Sequence, residues 1–222
     1  MKKVSVIIPT TRPEELKKAV ESVKKQTFKD FELIIIKDEF HQGIARTLNE
    51  GTRKAKGKYI AILADDDEWI DKDKLERQVY FLDTHPDYIL VGTSAIVIDD
   101  TGKEIARFTG DGFPPHSSVI YRKEAGEYDE DFPRAVDYEF FCRVKKMGKF
   151  GFIPDCFIKY QENSDNRNVI AIRQIDAYFC LKVLLRYRVW KELPKVIARY
   201  IAFSLLVVCP LPYNLYRKIK YE

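Results

Sequence analysis

Within its first 63 residues the chain alternates three short apolar runs with two amphipathic stretches, and this order constrains the fold more than any other feature. Residues 4–8 form an apolar run closed by Pro9, the pattern of a strand buried on both faces. Thr11-Arg12-Pro13 then opens a helical stretch in which Leu16, Ala19, Val20 and Val23 recur at helical spacing. Residues 31–36 read as a second buried strand. Residues 44–55 read as a second helix, with Ile44, Leu48 and Ala55 on one face, and residues 59–63 as a third strand. A β-α-β-α-β order predicts an α/β fold: a Rossmann-like, mostly parallel sheet with helices on both faces.

Asp65-Asp66-Asp67 follows the third strand directly. In open α/β sheets ligands bind beyond the carboxyl ends of the strands, so these acids lie where a site is expected. Three adjacent carboxylates repel one another unless something cationic answers them. Mg2+ or Mn2+ held by carboxylate oxygen is one answer; a solvated acidic turn capping the next helix is the other. An EF-hand reading fails because Ile70 stands where its sharp turn needs Gly.

Further strands are expected at 88–91, 95–98, 118–121 and 151–160, with a hairpin turn at Asp100-Thr101-Gly102 and a helix over 137–147. The texture changes after Asn168. Residues 170–222 carry ten Lys/Arg against three Asp/Glu, whereas the first 169 carry 28 against 31. The reading is two parts: a catalytic body over 1–168 and a helical, basic and apolar tail over 169–222. The tail suits an anionic membrane surface without spanning it. The alternative is packing on the body or on a second copy of the chain, as in a homodimer. A formal net charge of +4 gives no reason to expect nucleic acid. The N-terminal apolar run is too short for a signal peptide, and no cysteine pair has C-x-x-C spacing. A cytoplasmic protein, peripheral on the membrane's inner face with buried free thiols, is therefore expected.

Several segments together resemble one family. Val4-Ser5-Val6-Ile7-Ile8-Pro9-Thr10 is similar to the opening strand of the GT-A glycosyltransferases, in particular glycosyltransferase family 2. Residues 26–35 resemble that family's next stretch, as do Gly43 to Asn49 and Ala55 to Ala61. Asp65-Asp66-Asp67-Glu68-Trp69 falls at its metal motif, and Val136-Asp137-Tyr138-Glu139 resembles its acidic helix start. The likeness covers roughly residues 3–165.

The resemblance implies roles. Pro9, Thr10 and Thr11 would form the donor-binding turn, and Asp38 would contact the nucleotide base. Asp66 would ligate Mg2+ or Mn2+. Ala64 replaces the motif's first Asp, so Asp65 would contact ribose or supply the missing charge. Asp137 matches the catalytic base, the carboxylate that takes the acceptor hydroxyl's proton. Without the family, Asp137 reads first as a simple helix cap. His116 is either a diphosphate or acceptor contact or a plain loop histidine. The implied activity is an inverting transfer of sugar from a nucleotide diphosphate donor to a glycan or lipid-linked acceptor. Two other readings stand beside it. A non-catalytic nucleotide- or glycan-binding subunit is allowed by Ala64. A sugar-phosphate nucleotidyltransferase would want a Gly-rich loop where Pro9-Thr10-Thr11-Arg12-Pro13 stands.

Overall fold

A computed structural model describes residues 2–13, 15–110, 113–161, 169–191 and 193–208. The chain divides into two compact units, Met1–Glu162 and Asn163–Glu222.

The first unit is an α/β fold on one mixed sheet. Its elements are β1 (Val4–Thr10), α1 (Leu16–Lys24), β2 (Phe31–Lys37), α2 (Ile44–Lys54), β3 (Tyr59–Ile62), β4 (Glu68–Trp69), α3 (Lys74–Thr84), β5 (Tyr88–Ile98), β6 (Glu104–Phe108), β7 (Ile120–Arg122), α4 (Val136–Val144) and β8 (Lys149–Gln161). The strand order is β2-β1-β3-β7-β5-β8-β4, with β6 on β5. The first three strands are parallel, as the alternating order implies, and β5 pairs β8 in parallel. β7 enters antiparallel between β3 and β5, and β4 and β6 also pair antiparallel.

Side-chain alternation splits the core between the two sheet faces. Val4, Val6 and Ile8 of β1 join Tyr59 and Ala61 of β3 in one cluster, with Ala19 and Val23 of α1 and Leu75 and Val79 of α3. Ile7, Ile60 and Ile62 face the other way, against Leu48 of α2 and Phe140 and Phe141 of α4. Both faces of β1 and β3 are therefore covered, which explains their continuous apolar runs.

Three expectations of detail change. β5 is one strand through Gly92, where two were expected. A Cβ on Gly92 would lie 2.5 Å from the Pro114 ring, so this glycine marks a close approach and not a break. The helix expected from residue 11 begins at Leu16, because Thr10 and Arg12 are engaged at the strand end. The helix expected over 137–147 spans Val136–Val144.

In the second unit α5 (Val169–Tyr187) and α6 (Leu193–Val208) pack on each other. α5 stops at Arg188, which takes a left-handed conformation (φ 57°) while Val189 N–H bonds back to the Leu184 carbonyl at 3.0 Å. Pro194 is the second residue of α6, in the first turn where proline is tolerated. Among the described residues no helix is long and apolar enough to cross a membrane. Cys142 is a buried free thiol and Cys180 a half-buried one; Cys209 and the basic residues Arg217, Lys218 and Lys220 lie outside the described residues.

Candidate active site

The parallel register places the first group of side chains. Ile7 of β1 is level with Ile62 of β3, so three places further on Thr10 is level with Asp65. The Thr10 hydroxyl donates to Asp65 Oδ2 at 2.6 Å and accepts the Arg12 backbone N–H at 2.9 Å. Arg12 Nη2 donates to Asp65 Oδ1 at 2.9 Å and to Asp66 Oδ2 at 3.1 Å, and Nη1 pairs with Glu15 Oε2 at 2.9 Å. One guanidinium thus faces three carboxylates. Burial works against its charge, but the hydrogen bond to Asp66 and the nearby Asp65, Asp66 and Glu15 outweigh this and raise its pKa. Carboxylate oxygens of Glu15, Asp65 and Asp66 lie within 4.8 Å of one another. An all-oxygen, anionic donor set of this kind suits a hard cation such as Mg2+ or Mn2+.

Asp67, the third acid, turns away from this group and is buried. Ser117 donates to its Oδ2, and the Gln161 backbone N–H to its Oδ1 at 2.9 Å. Burial pushes its carboxyl up to about 7, against the pull of the Ser117 hydroxyl and the Gln161 N–H. Ser117 also accepts the Ala64 N–H at 3.0 Å, and its carbonyl accepts Trp69 Nε1–H at 2.9 Å. Trp69 is buried in this packing. The acidic turn is thereby tied to the 3-10 turn His116–Ser118 and to the end of β8.

That tie carries His116 to the same side. His116 Nε2 meets the Tyr128 hydroxyl at 2.7 Å, and Tyr128 OH lies 3.3 Å from Tyr121 OH. Tyr128 is held by Asn49 of α2, which accepts its N–H at 2.7 Å and donates to its carbonyl at 3.0 Å. Desolvation lowers the His116 pKa and the charge of Asp137 pulls it back up, so these two side chains share one region. Asp137 lies in the first turn of α4. The N-cap is Ala135, in the left-handed region at φ 53° with no side-chain capping bond, so Asp137 is not the cap. Its Oδ1 accepts the Tyr138 N–H at 2.8 Å, and Tyr138 packs edge-on to Phe113.

Asp38 sits just past β2, where its backbone N–H bonds to the Thr10 carbonyl at 2.8 Å. Its carboxylate accepts the N–H groups of Gln42 (2.8 Å) and Gly43 (3.1 Å), so it shapes the loop that opens α2. Gly43, at φ 101°, provides a backbone conformation that a side chain would strain. Pro9 is buried within β1, and Thr11 is exposed at the bend that follows. The structure therefore gathers Thr10, Asp65 and Asp66, with Asp38 joined through Thr10, and brings His116 near Asp137. Arg12, Glu15, Ser117 and Tyr128 belong to these groups without having been singled out in the sequence.

Comparison with known proteins bears on the family and the fold. The model for glycosyl transferase family 2 matches residues 39–151. An uncharacterized glycosyltransferase of Methanocaldococcus jannaschii is 31% identical over 75% of this chain; the chain spans only 64% of that relative's length. The amylovoran biosynthesis glycosyltransferase AmsE of Erwinia amylovora is 24% identical over 71% of this chain and 74% of its own. Among solved structures, mannosyltransferase PcManGT from Pyrobaculum calidifontis, in complex with GDP-Man and Mn2+, has a TM-score of 0.65 at 15% identity, covering 96% of this chain and 77% of that one. At that identity the likeness is one of fold, the GT-A α/β fold. From residues 39–151, which carry the acidic turn and Asp137, the chain belongs to glycosyl transferase family 2.

Proposed function

We propose that the chain is an inverting glycosyltransferase that moves a sugar from a nucleoside diphosphate donor to an acceptor hydroxyl, in the assembly of a polysaccharide or lipid-linked glycan. The observation that carries this reading is the carboxylate group Glu15, Asp65 and Asp66 at the ends of β1 and β3, with Asp137 and His116 on the side tied to it through Ser117. Asp66, with Asp65 and Glu15 beside it, would hold Mg2+ or Mn2+. A divalent ion there would supply positive charge against the diphosphate as it departs. Thr10 fixes the orientation of Asp65, and Asp38 holds the loop 38–43 open for the nucleoside. Pro9 and Thr11 flank Thr10 in the donor turn. Asp137 accepts the proton of the acceptor hydroxyl as its oxygen attacks the anomeric carbon, a direct displacement that needs no covalent nucleophile. His116, anchored on Tyr128, faces the diphosphate or acceptor.

The relatives support the wider setting: AmsE is named for amylovoran biosynthesis, and PcManGT carries GDP-Man and Mn2+. A thermal-shift screen of nucleotide sugars with and without Mn2+ tests the reading, since a ligand that binds only the native state raises its melting temperature. One donor should raise Tm only with the metal and should then be consumed when acceptors are supplied. Binding without turnover across a broad acceptor panel would favour a non-catalytic subunit instead.

A further inference from the structure

The cation that answers the acidic turn is already in the chain. Arg12 Nη2 bridges Asp65 Oδ1 (2.9 Å) and Asp66 Oδ2 (3.1 Å), while Nη1 reaches Glu15 Oε2 (2.9 Å). These are the same three residues whose oxygens lie close enough together to hold a metal. The arginine is well placed to stay there. Its backbone N–H is fixed on the Thr10 hydroxyl, and that hydroxyl also fixes Asp65, so strand end, carboxylate and guanidinium form one unit. A Mg2+–oxygen bond is about 2.0–2.1 Å, shorter than these hydrogen bonds. A guanidinium bonded to both Asp65 and Asp66 therefore fills the space between them, and its charge repels a second cation there.

We infer that Arg12 is the resting counter-ion of the metal carboxylates: it must swing out of the Asp65–Asp66 gap when metal is taken up, and the diphosphate of the donor then receives it. Arg12 is in this view a positioning residue that couples metal uptake to donor arrival. In the free protein it balances the carboxylates and weakens uptake of metal alone. With donor present, the displaced guanidinium gains a new anionic partner, for which its planar fork is suited. Three carboxylates and one guanidinium leave the group at minus two, so a divalent ion neutralises it. The cost of uptake is the loss of the Arg12 bonds to Asp65 and Asp66, which the diphosphate replaces.

This inference rests on the metal reading above, and its test separates the two. Mn2+ binding to the full chain would be followed by the electron paramagnetic resonance of free Mn2+, first alone and then with UDP or, in a parallel titration, GDP. Arg12→Gln should bind Mn2+ alone about tenfold or more tighter than the unaltered protein, since one positive charge a few ångströms away has gone. It should also show a smaller gain in Mn2+ affinity on adding nucleotide. Arg12→Lys keeps the charge and should stay within about threefold of the unaltered protein for Mn2+ alone, with the nucleotide gain reduced because the fork is lost. Melting curves in the absence of metal establish that each variant is folded, and Arg12→Lys carries the test if Arg12→Gln is not. Equal or weaker Mn2+ binding by Arg12→Gln overturns the inference and leaves the metal reading standing. For Arg12→Lys alone, an undiminished nucleotide gain overturns it. Absence of Mn2+ binding in every protein, with or without nucleotide, overturns the metal reading and this inference with it.

Discussion

The three acids of the turn do different work because their surroundings differ. Asp67 is buried and bonded on both oxygens by Ser117 and the Gln161 backbone, so it braces the turn. Asp65 is held by Thr10 and Arg12, and Asp66 shares the arginine at a more open position. Asp66→Ala is therefore predicted to abolish the Mn2+ dependence of nucleoside diphosphate binding, measured by calorimetry with and without the metal; an unchanged dependence would remove Asp66 as the ligand. Asp137 poses a separate question. It sits inside the first turn of α4, beyond the N-cap position, so its removal does not cost the helix a capping bond. Asn keeps the shape and an acceptor oxygen for the Tyr138 N–H but cannot take a proton. Asp137→Asn should bind donor normally and lose transfer by about 10²–10⁴-fold, the usual span for a general base. Transfer near the unaltered rate would eliminate Asp137 from the mechanism. Of these residues the acids were legible in the sequence, because a carboxylate triplet after an apolar run is conspicuous. Arg12 was not: it reads as an ordinary residue opening a helix, and its partners lie 53 and 54 positions away. The signal that pointed to it was the electrostatic demand itself, which a protein cation meets as well as a metal.

Elements were legible where burial imposes a pattern and obscure where a few residues decide. β1 and β3 announce themselves because both faces are covered. β4 is two residues long, too short for any periodicity, and was missed. β5 reads in the sequence as two strands, at 88–91 and 95–98; the Pro114 ring that packs on Gly92 between them is a tertiary contact that no local pattern carries. Helix α3 contains the least expected group of all, the fully buried Lys74. Its Nζ donates to Gln78 Oε1 at 2.7 Å and lies 4.0 Å from the centre of the Trp69 ring. Desolvation lowers its pKa well below the ordinary 10.5. The unfolded chain then binds one more proton than the folded one between the lowered value and 10.5, so folding stability rises with pH across that window. The contribution is at most about 1.4 kcal/mol per pH unit. Urea unfolding of the unaltered protein should accordingly show greater stability at pH 9 than at pH 7, and Lys74→Met should flatten that slope. An unaltered slope in the variant would mean that Lys74 keeps its proton in the folded state.

At the scale of the molecule, the two units present different surfaces. The first carries the acidic site, while residues 170–222 hold ten of the 38 Lys/Arg. On α5, Ile175, Tyr178 and Leu185 are exposed at spacings of three and seven, which places them on one helical stripe, and Trp190 is exposed just beyond the helix. Lys182 lies on the same stripe, its Nζ 5.8 Å from the Tyr178 ring centre and 5.3 Å from that of Phe179. Aliphatic and aromatic groups alternating with cations suit the boundary between lipid headgroups and acyl chains. The contact we propose is a peripheral one, made by this stripe. The full chain is predicted to sediment with phosphatidylserine vesicles at low salt. It should be released as ionic strength approaches 1 M, where the Debye length falls to about 3 Å. Trp190→Ala and Lys182→Glu should each weaken the binding, the first by lost apolar insertion and the second by lost attraction, and only the first loss should persist in relative terms at higher salt. The competing occupant of the stripe is a second copy of the chain. Analytical ultracentrifugation separates the two: a dimer that Leu185→Glu dissociates, together with no vesicle binding at low salt, would assign this surface to self-association and not to a membrane.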